Sequence, residues 1–517
     1  MFYTVVFLAG LFLTLLWVYP VRRFAFAIGG VANPGGRSIH KEPTPLLGGI
    51  AIYLSIVMIG AVLLLWKGLP WLRIEPMKLL GLFLGATFLL LVGIIDDILA
   101  LRVRWKLLGQ MIAAFIPALF GYTIQAVHIP LVGGLHLGTL GPLLFVVWVL
   151  AITNAVNLTD GLDGLASTVG FFAAVGNGII ALTLGNFFIA FFSFMLAGCM
   201  LGFLFHNFPP AKIFLGDTGS MLIGFLLAVT VIESNTQKRS TTLLVLAPLL
   251  LLGFSLLDVL LSVVRRFLRG KPIFSSDLGH IHHRLMSRFR NPRRVLFVVG
   301  MFSMFMTVVS LVTHFGGVIH PMVYGVVLFC AGLVTVFFVR LLGYFRLDRI
   351  RYVLDTREDV KFFNSVLGYL RYSLPKRNKF EDLVAELDWV CQALKPKQVI
   401  VMDRSFNMVY SYTKEEEGET DSSAPISIYN EEMGDSFLTI KWTNGTRSED
   451  PTTCDIRLMF RELFGLYSQH WKRLSILHDE ASSSSLEAIP TVSATEASLA
   501  VSLGSSSSKT GSQPLNS

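Results

Sequence analysis

The chain has 517 residues, of which 53% are apolar and only 15% charged. That balance excludes an ordinary soluble globular protein and points to many membrane spans. The net charge of +8 does not mark a nucleic-acid partner, because most basic residues fall in loops beside apolar runs, where they set topology.

The first apolar run, Val5 to Tyr19, has no basic stretch before it and no small-residue cleavage site after it, so it reads as a membrane helix and not as a cleaved signal. Eleven apolar spans follow one another near 2–21, 46–66, 77–95, 107–127, 141–157, 165–184, 186–206, 219–234, 243–264, 295–315 and 320–343. The shorter ones can cross by tilt or local thinning. One set of alternate loops holds Arg22, Arg23, Arg37, Lys41, Arg102, Arg104, Lys106, Lys212 and a very basic stretch from Arg265 to Arg294. The opposite set holds only Lys67, Arg73, Lys78, Lys238 and Arg239. The basic side is expected to be cytoplasmic, with the N-terminus outside and the C-terminus inside. Cys199, Cys330, Cys391 and Cys454 are scattered and form no CxxC pair, so neither a disulfide framework nor a zinc ribbon is indicated.

Five polar clusters then fall on that one face: 38–49, 96–97, 154–163, 214–220 and 277–285. Segments far apart in sequence that meet at one end of a helical scaffold are how such proteins assemble a site. Lys41 sits in the first cluster, where it can meet a phosphate or anchor the membrane edge. Asp96 and Asp97 end the third span. Two carboxylates there oppose the helix dipole and repel each other, which calls for a cation or a proton-transfer role; the competing reading is a solvated loop start. Lys106 can meet a phosphate or act as a positive-inside anchor.

The stretch N-A-V-N-L-T-D-G-L-D-G-L-A at 154–166 follows an apolar run. A carboxylate near the bilayer core costs roughly 2.5–3.5 kcal/mol even on the lenient insertion scale, so such residues usually face a polar cavity. In a helix, Asn157, Asp160 and Asp163 would recur every three residues along one side. A polar cap and turn is the plainer alternative. In F-L-G-D-T-G-S at 214–220, Asp217 is bordered by glycines at a helix start. That suits magnesium with a diphosphate, since magnesium takes oxygen ligands and keeps phosphates in its shell; an ordinary N-cap reads equally from these residues. In D-L-G-H-I-H-H-R-L at 277–285, three histidines stand beside Arg284 without metal-ligand spacing. Recognition of a phosphate and a sugar fits them better. Asp258, inside the ninth span, can point into the same cavity.

In this order and on this face, these motifs resemble those of the polyprenyl-phosphate N-acetylhexosamine-1-phosphate transferases, over about residues 1–345. The resemblance implies that undecaprenyl phosphate attacks the β-phosphate of a UDP-N-acetylhexosamine in the bilayer and UMP leaves. It implies magnesium, or manganese, at Asn157 and Asp217. It also implies catalytic roles for Asp96, Asp97, Asp160 and Asp163. Substrate contacts are implied for Lys41, Lys106, Phe214 (near uracil), His280, His282, His283 and Arg284. H-I-H-H-R-L is similar to the branch that transfers GlcNAc-1-phosphate for O-antigen, enterobacterial-antigen and teichoic-acid synthesis. The peptidoglycan branch, which takes UDP-MurNAc-pentapeptide, carries an acidic residue where this chain has Arg284, and a threonine where it has Leu46. UDP-GlcNAc is therefore the first donor expected, with UDP-GalNAc or a 6-deoxy sugar as alternatives, in a bacterial cytoplasmic membrane, with a homodimer allowed by the resemblance.

From Phe345 charged residues become frequent. Leu383 to Leu394 reads as a helix. Alternating runs follow at Gln398–Met402, Met408–Tyr412, Ile426–Tyr429 and Phe437–Trp442, and Cys454 to Leu474 reads as an amphipathic helix. The expected fold class is an all-α polytopic membrane protein of about eleven transmembrane helices at 1–344. A small cytoplasmic α+β domain of GAF-like kind at 345–480 and a disordered Ser-rich tail at 481–517 complete it. A transporter would place its polar residues near the midplane between repeated halves, and here they gather at one face. A sensor whose output is the C-terminal domain would leave that cluster unexplained.

Overall fold

The computed structural model describes residues 1–32, 43–65, 75–129, 133–235, 246–268, 279–315, 321–343, 357–377 and 379–394, four strands between 398 and 443, and helical residues at 462–463, 465–467 and 469–470. The chain divides into two compact units, Met1–Asp355 and Thr356–Ser517.

The first unit is helical. Its long helices are α1 (Phe2–Ala27), α2 (Gly48–Leu65), α3 (Pro76–Leu99), α4 (Val103–Leu119), α5 (Gly141–Thr159), α6 (Leu165–Thr183), α7 (Phe187–Asn207) and α8 (Gly216–Asn235). Next come α9 (Leu246–Leu251), α10 (Gly253–Leu268), α11 (Ile281–Phe289), α12 (Pro292–His314) and α13 (Pro321–Leu341). Two antiparallel pairs interrupt them: β1 (Val31–Ala32) with β2 (Thr44–Pro45), and β3 (Ala126–Ile129) with β4 (Gly133–His136).

α8 is the centre. It packs against α2, α3, α5, α6 and α7, and Met221 through Val229 are buried on every side. A helix apolar all round belongs inside a larger assembly. The outer helices are the reverse of a soluble protein. On α1, Val5, Leu8, Phe12 and Leu16 are exposed at spacings of three and four, while Val6, Gly10, Thr14 and Val18 are buried. Such an outer face suits lipid chains.

Close approach comes from small residues, as is usual between membrane helices. A Cβ at Gly10 would lie 2.6 Å from the Met195 carbonyl oxygen, so α1 and α7 touch backbone to backbone. α3 and α8 are pinned at both ends. At one end the Asp97 carboxylate meets the start of α8; at the other Lys78 Nζ lies 2.7 Å from Glu233 Oε1.

Against eleven expected spans, seven helices among the described residues are long and apolar enough to cross a membrane, with shorter apolar stretches at Gly48–Leu63 and Gly325–Leu341. The chain is mostly helical and multi-pass. Two of the differences have visible causes. The span expected near 107–127 becomes the 17-residue α4 with Arg104 and Lys106 in its first turn. The span expected near 243–264 breaks after Leu251 into α9 and an amphipathic α10. α10 buries Ser255, Asp258, Ser262 and Arg265 and exposes Leu260, Val264 and Phe267.

The second unit contains helices Arg357–Ser373 and Phe380–Leu394. Its antiparallel sheet has the order β6–β5–β8–β7, from β5 (Gln398–Met402), β6 (Met408–Thr413), β7 (Ile426–Met433) and β8 (Ser436–Thr443). Buried Glu386 accepts from Ser373 Oγ at 2.7 Å and from Arg377 Nε at 2.9 Å. The tail at 481–517 lies outside the described residues, as does most of the expected helix at 454–474.

Candidate active site

Consecutive helices run antiparallel, so the end of α3, the start of α4, the end of α5, the start of α6, the end of α7 and the start of α8 meet at one end of the bundle. Gly216 opens α8 with φ +70, a left-handed conformation that favours glycine. A Cβ there would also lie 2.5 Å from Asp97 Oδ2. Asp97 accepts from the Asp217 and Thr218 backbone N–H groups at 2.8 and 3.0 Å and from the Thr218 hydroxyl at 2.6 Å. A carboxylate on another helix thus caps α8, satisfying two of the N–H groups that every helix start leaves open.

Asp96 has a separate task. Its Oδ1 accepts from Leu101 N at 2.8 Å. Its Oδ2 lies 2.9 Å from Lys106 Nζ, and the same ammonium lies 2.8 Å from Asp217 Oδ1. Asn157 Nδ2 donates to that Asp217 oxygen and to Ser220 Oγ at 2.8 Å. Asn154 donates to Gln110 Oε1 at 2.7 Å and steadies the end of α5 against α4. Four residues from four helices are therefore linked: Lys106 and Asn157 share one Asp217 oxygen, and Asp96 joins through Lys106.

After Asn157 the chain turns. α5 ends at Thr159 and α6 starts at Leu165, so of the two readings of this stretch the cap and turn holds, and no three-residue helical recurrence runs through Asp160 and Asp163. The glycines at 161 and 164 account for this: Gly164 has φ +75. Asp160 is half-buried beside the other carboxylates. Burial, and then the charges of Asp217, Asp97 and Asp163, push its carboxyl well above the ordinary range. Asp163 accepts from Ala211 N at 2.9 Å and so ties this loop to the approach to α8. Buried Asn207 makes a second tie, accepting from Gly164 N at 2.8 Å and donating to the Ile213 carbonyl at 2.8 Å. Asn207 escapes sequence reading because it is a lone amide at the end of an apolar helix. Phe214 donates its N–H to the Pro45 carbonyl at 2.9 Å, which fastens the first polar loop here. Lys41 lies outside the described residues.

The histidines arrive from the other side. Asp258 Oδ1 accepts from Ile281 N at 2.8 Å and Oδ2 lies 3.2 Å from His280 Nδ1. The His280 and His282 rings are nearly parallel, with centroids 5.8 Å apart, and the His283 ring is 4.2 Å from that of His282. The His282 ring rests on Gly161: a Cβ there would strike it. Arg284 donates to the Leu342 carbonyl at 3.0 Å, joining α11 to the end of α13.

Burial, with the neighbouring His283 and His280, lowers the His282 pKa to about 4. The unfolded chain would take up that proton near the ordinary value of 6.5. Stability present above about pH 6.5 is therefore expected to fall as pH drops toward about 4. Thermal melts in detergent across that range check this, and His282→Gln should flatten the slope.

The donor set fits a hard divalent cation in kind. Carboxylate excess surrounds a lysine ammonium, itself a cation standing between Asp96 and Asp217. Among the described residues no group of three or more His, Cys, Asp or Glu forms a preformed metal cage. Magnesium needs none, since it takes one or two carboxylates and fills its shell with phosphates and waters.

Residues 79–235 match the family described as Glycosyl transferase family 4. A Bacillus subtilis protein named probable undecaprenyl-phosphate N-acetylglucosaminyl 1-phosphate transferase is 33% identical over 303 residues, covering 58% of this chain and 82% of that protein. A Mycobacterium tuberculosis decaprenyl-phosphate N-acetylglucosaminephosphotransferase is 37% identical over 308 residues, covering 54% of this chain and 74% of the relative. A Moorella thermoacetica phospho-N-acetylmuramoyl-pentapeptide-transferase is 35% identical over 282 residues, covering 52% and 84%.

Proposed function

This chain belongs to glycosyl transferase family 4, and from that premise we propose that it transfers an N-acetylhexosamine 1-phosphate, GlcNAc-1-phosphate first among them, from a UDP-sugar to undecaprenyl phosphate. The observation that carries this reading is the convergence of Asp96, Lys106, Asn157 and Asp217 at one end of the bundle. Phosphoryl transfer asks for alignment and charge neutralisation more than for covalent chemistry.

An oxygen of the lipid phosphate forms a bond to the β-phosphorus of the UDP-sugar. The bond from that phosphorus to the bridging oxygen breaks, and UMP leaves with the oxygen. Lys106 offsets the charge of the diphosphate. Asp160, whose proton affinity is raised by burial and the neighbouring carboxylates, is assigned as the group that takes a proton from the lipid phosphate. Asn157 and Asp217 would hold magnesium, which when bound neutralises and orients the diphosphate. The histidines of α11 reach the loop of Asp160 from the side and are assigned to the donor's sugar or base. The site is assigned to the cytoplasmic face of a bacterial inner membrane, where nucleotide sugars are made.

The peptidoglycan-type reaction is the second reading, because a relative bearing that name is about as similar. Arg284 argues against it. The test uses purified full-length protein in detergent, undecaprenyl phosphate, magnesium and a panel of radiolabelled UDP-sugars that includes UDP-MurNAc-pentapeptide. Label is expected to enter the lipid phase from UDP-GlcNAc with release of UMP, and to stop on chelation. Folded protein that accepts no UDP-N-acetylhexosamine would sink the reading.

A further inference from the structure

The buried polar stripe of α10 is not used by the cluster around Asp217. Ser255, Asp258, Ser262 and Arg265 recur at spacings of three and four, so they lie on one helix face. Each is buried. Ser255 Oγ receives the Thr159 hydroxyl at 2.9 Å, which anchors the stripe to the end of α5. Arg265 Nη2 donates to Ser262 Oγ at 2.9 Å, and Ser262 Oγ lies 3.4 Å from His280 Nδ1.

Asp258 is 1% exposed. A carboxylate this deep is costly unless its oxygens are engaged. Both are, and both by the first residues of α11: the Ile281 N–H on Oδ1 and His280 Nδ1 on Oδ2. The first contact caps a short helix that has no side-chain cap of its own. The second has a chemical consequence. A carboxylate only accepts, so Nδ1 carries the proton and neutral His280 keeps its lone pair on Nε2. From there the rings continue, His280 parallel to His282 and His282 against Gly161, to the loop that bears Asp160.

We propose that Asp258 is a positioning residue for sugar-phosphate transfer: it docks α11 and fixes His280 as the Nδ1–H tautomer, so that Nε2 is offered as an acceptor to a hydroxyl or N–H of the UDP-sugar. The proposal rests on the transferase reading above, but the tautomer is measurable without turnover.

Nitrogen-15 spectra of full-length protein in detergent, with histidine labelled and His280→Gln used to assign the signal, report the tautomer directly. The wild type is expected to show Nδ1–H at His280; an Nε2–H signature overturns the proposal. Asp258→Asn keeps an acceptor for the Ile281 N–H but turns an amide donor toward His280, so the tautomer should invert. In that variant KM for the UDP-sugar is expected to rise about tenfold or more, with the melting temperature near wild type. Asp258→Glu should restore part of the loss. Wild-type KM in folded Asp258→Asn, or a raised KM with the His280 tautomer unchanged, reduces Asp258 to a structural cap and overturns the proposal. If Asp258→Asn does not fold, the wild-type tautomer and the KM of His280→Gln decide. An inactive wild type with the Nδ1–H tautomer would instead count against the transferase reading alone.

Discussion

Asp217→Asn is expected to lower kcat/KM for sugar-phosphate transfer by roughly 10²–10³-fold, the usual cost of removing one preorganised electrostatic group. Asp217 is where the site's contacts meet. One of its oxygens faces the Lys106 ammonium at 2.8 Å and receives the Asn157 amide. Asparagine has nearly the same shape, so the α8 cap from Asp97, which engages backbone N–H groups and Thr218, is left in place. What changes is charge. Lys106 would keep only Asp96 as an ion-pair partner, and any divalent cation would lose its best ligand. The melting temperature should therefore stay close to wild type while turnover collapses. Transfer assays and thermal melts on the same preparation check both halves. Near wild-type turnover would remove Asp217 from the chemistry.

Asp97→Ala should behave differently, with loss of fold and activity together. Three hydrogen bonds run from the start of α8 to Asp97. Removing the acceptor strands two backbone N–H groups and a hydroxyl at a half-buried helix start. Each stranded group costs about 1–3 kcal/mol, so a loss on the order of 3 kcal/mol or more is expected. α8 is the central helix, so its start carries Asp217 with it. Asp96→Asn is the contrast: it should impair transfer through Lys106 and leave the melting temperature nearly unchanged. Equal melting temperatures for Asp97→Ala and Asp96→Asn would refute this division of labour. Thermal denaturation in detergent, read alongside UMP release, makes the comparison.

That division marks the limit of sequence reading. Asp96 and Asp97 are adjacent and identical, and the mutual-repulsion argument treats them as one unit. In a helix, however, neighbours point about 100° apart. One therefore meets α4 and the other meets α8. Arg284 is a similar case. Its place beside three histidines speaks for a phosphate, yet it donates to the Leu342 carbonyl, a group whose position depends on where α13 ends. Asp163, for which the resemblance implies a catalytic role, also accepts from the backbone N–H of Ala211, a contact that sequence spacing does not foretell. The recurrence of Asn157, Asp160 and Asp163 assumed a continuous helix, which the glycines at 161 and 164 interrupt.

The chain's own letters determined its membrane character, the single polar face and the motifs at helix ends. Those properties are local. Apolar length, basic flanks, and carboxylates bordered by glycine can be read without knowing what lies opposite. Tertiary structure decided which carboxylate caps and which meets the lysine, that Asn207 clasps two loops, that α10 turns a polar stripe inward, and that Asp258 reaches across to α11. Each of these depends on the rotation of one helix against another. That rotation is set by packing among side chains dozens of residues apart: Gly93 on α3 lets the Thr218 backbone approach closely, and the depth of that contact is what places Asp97 at the start of α8.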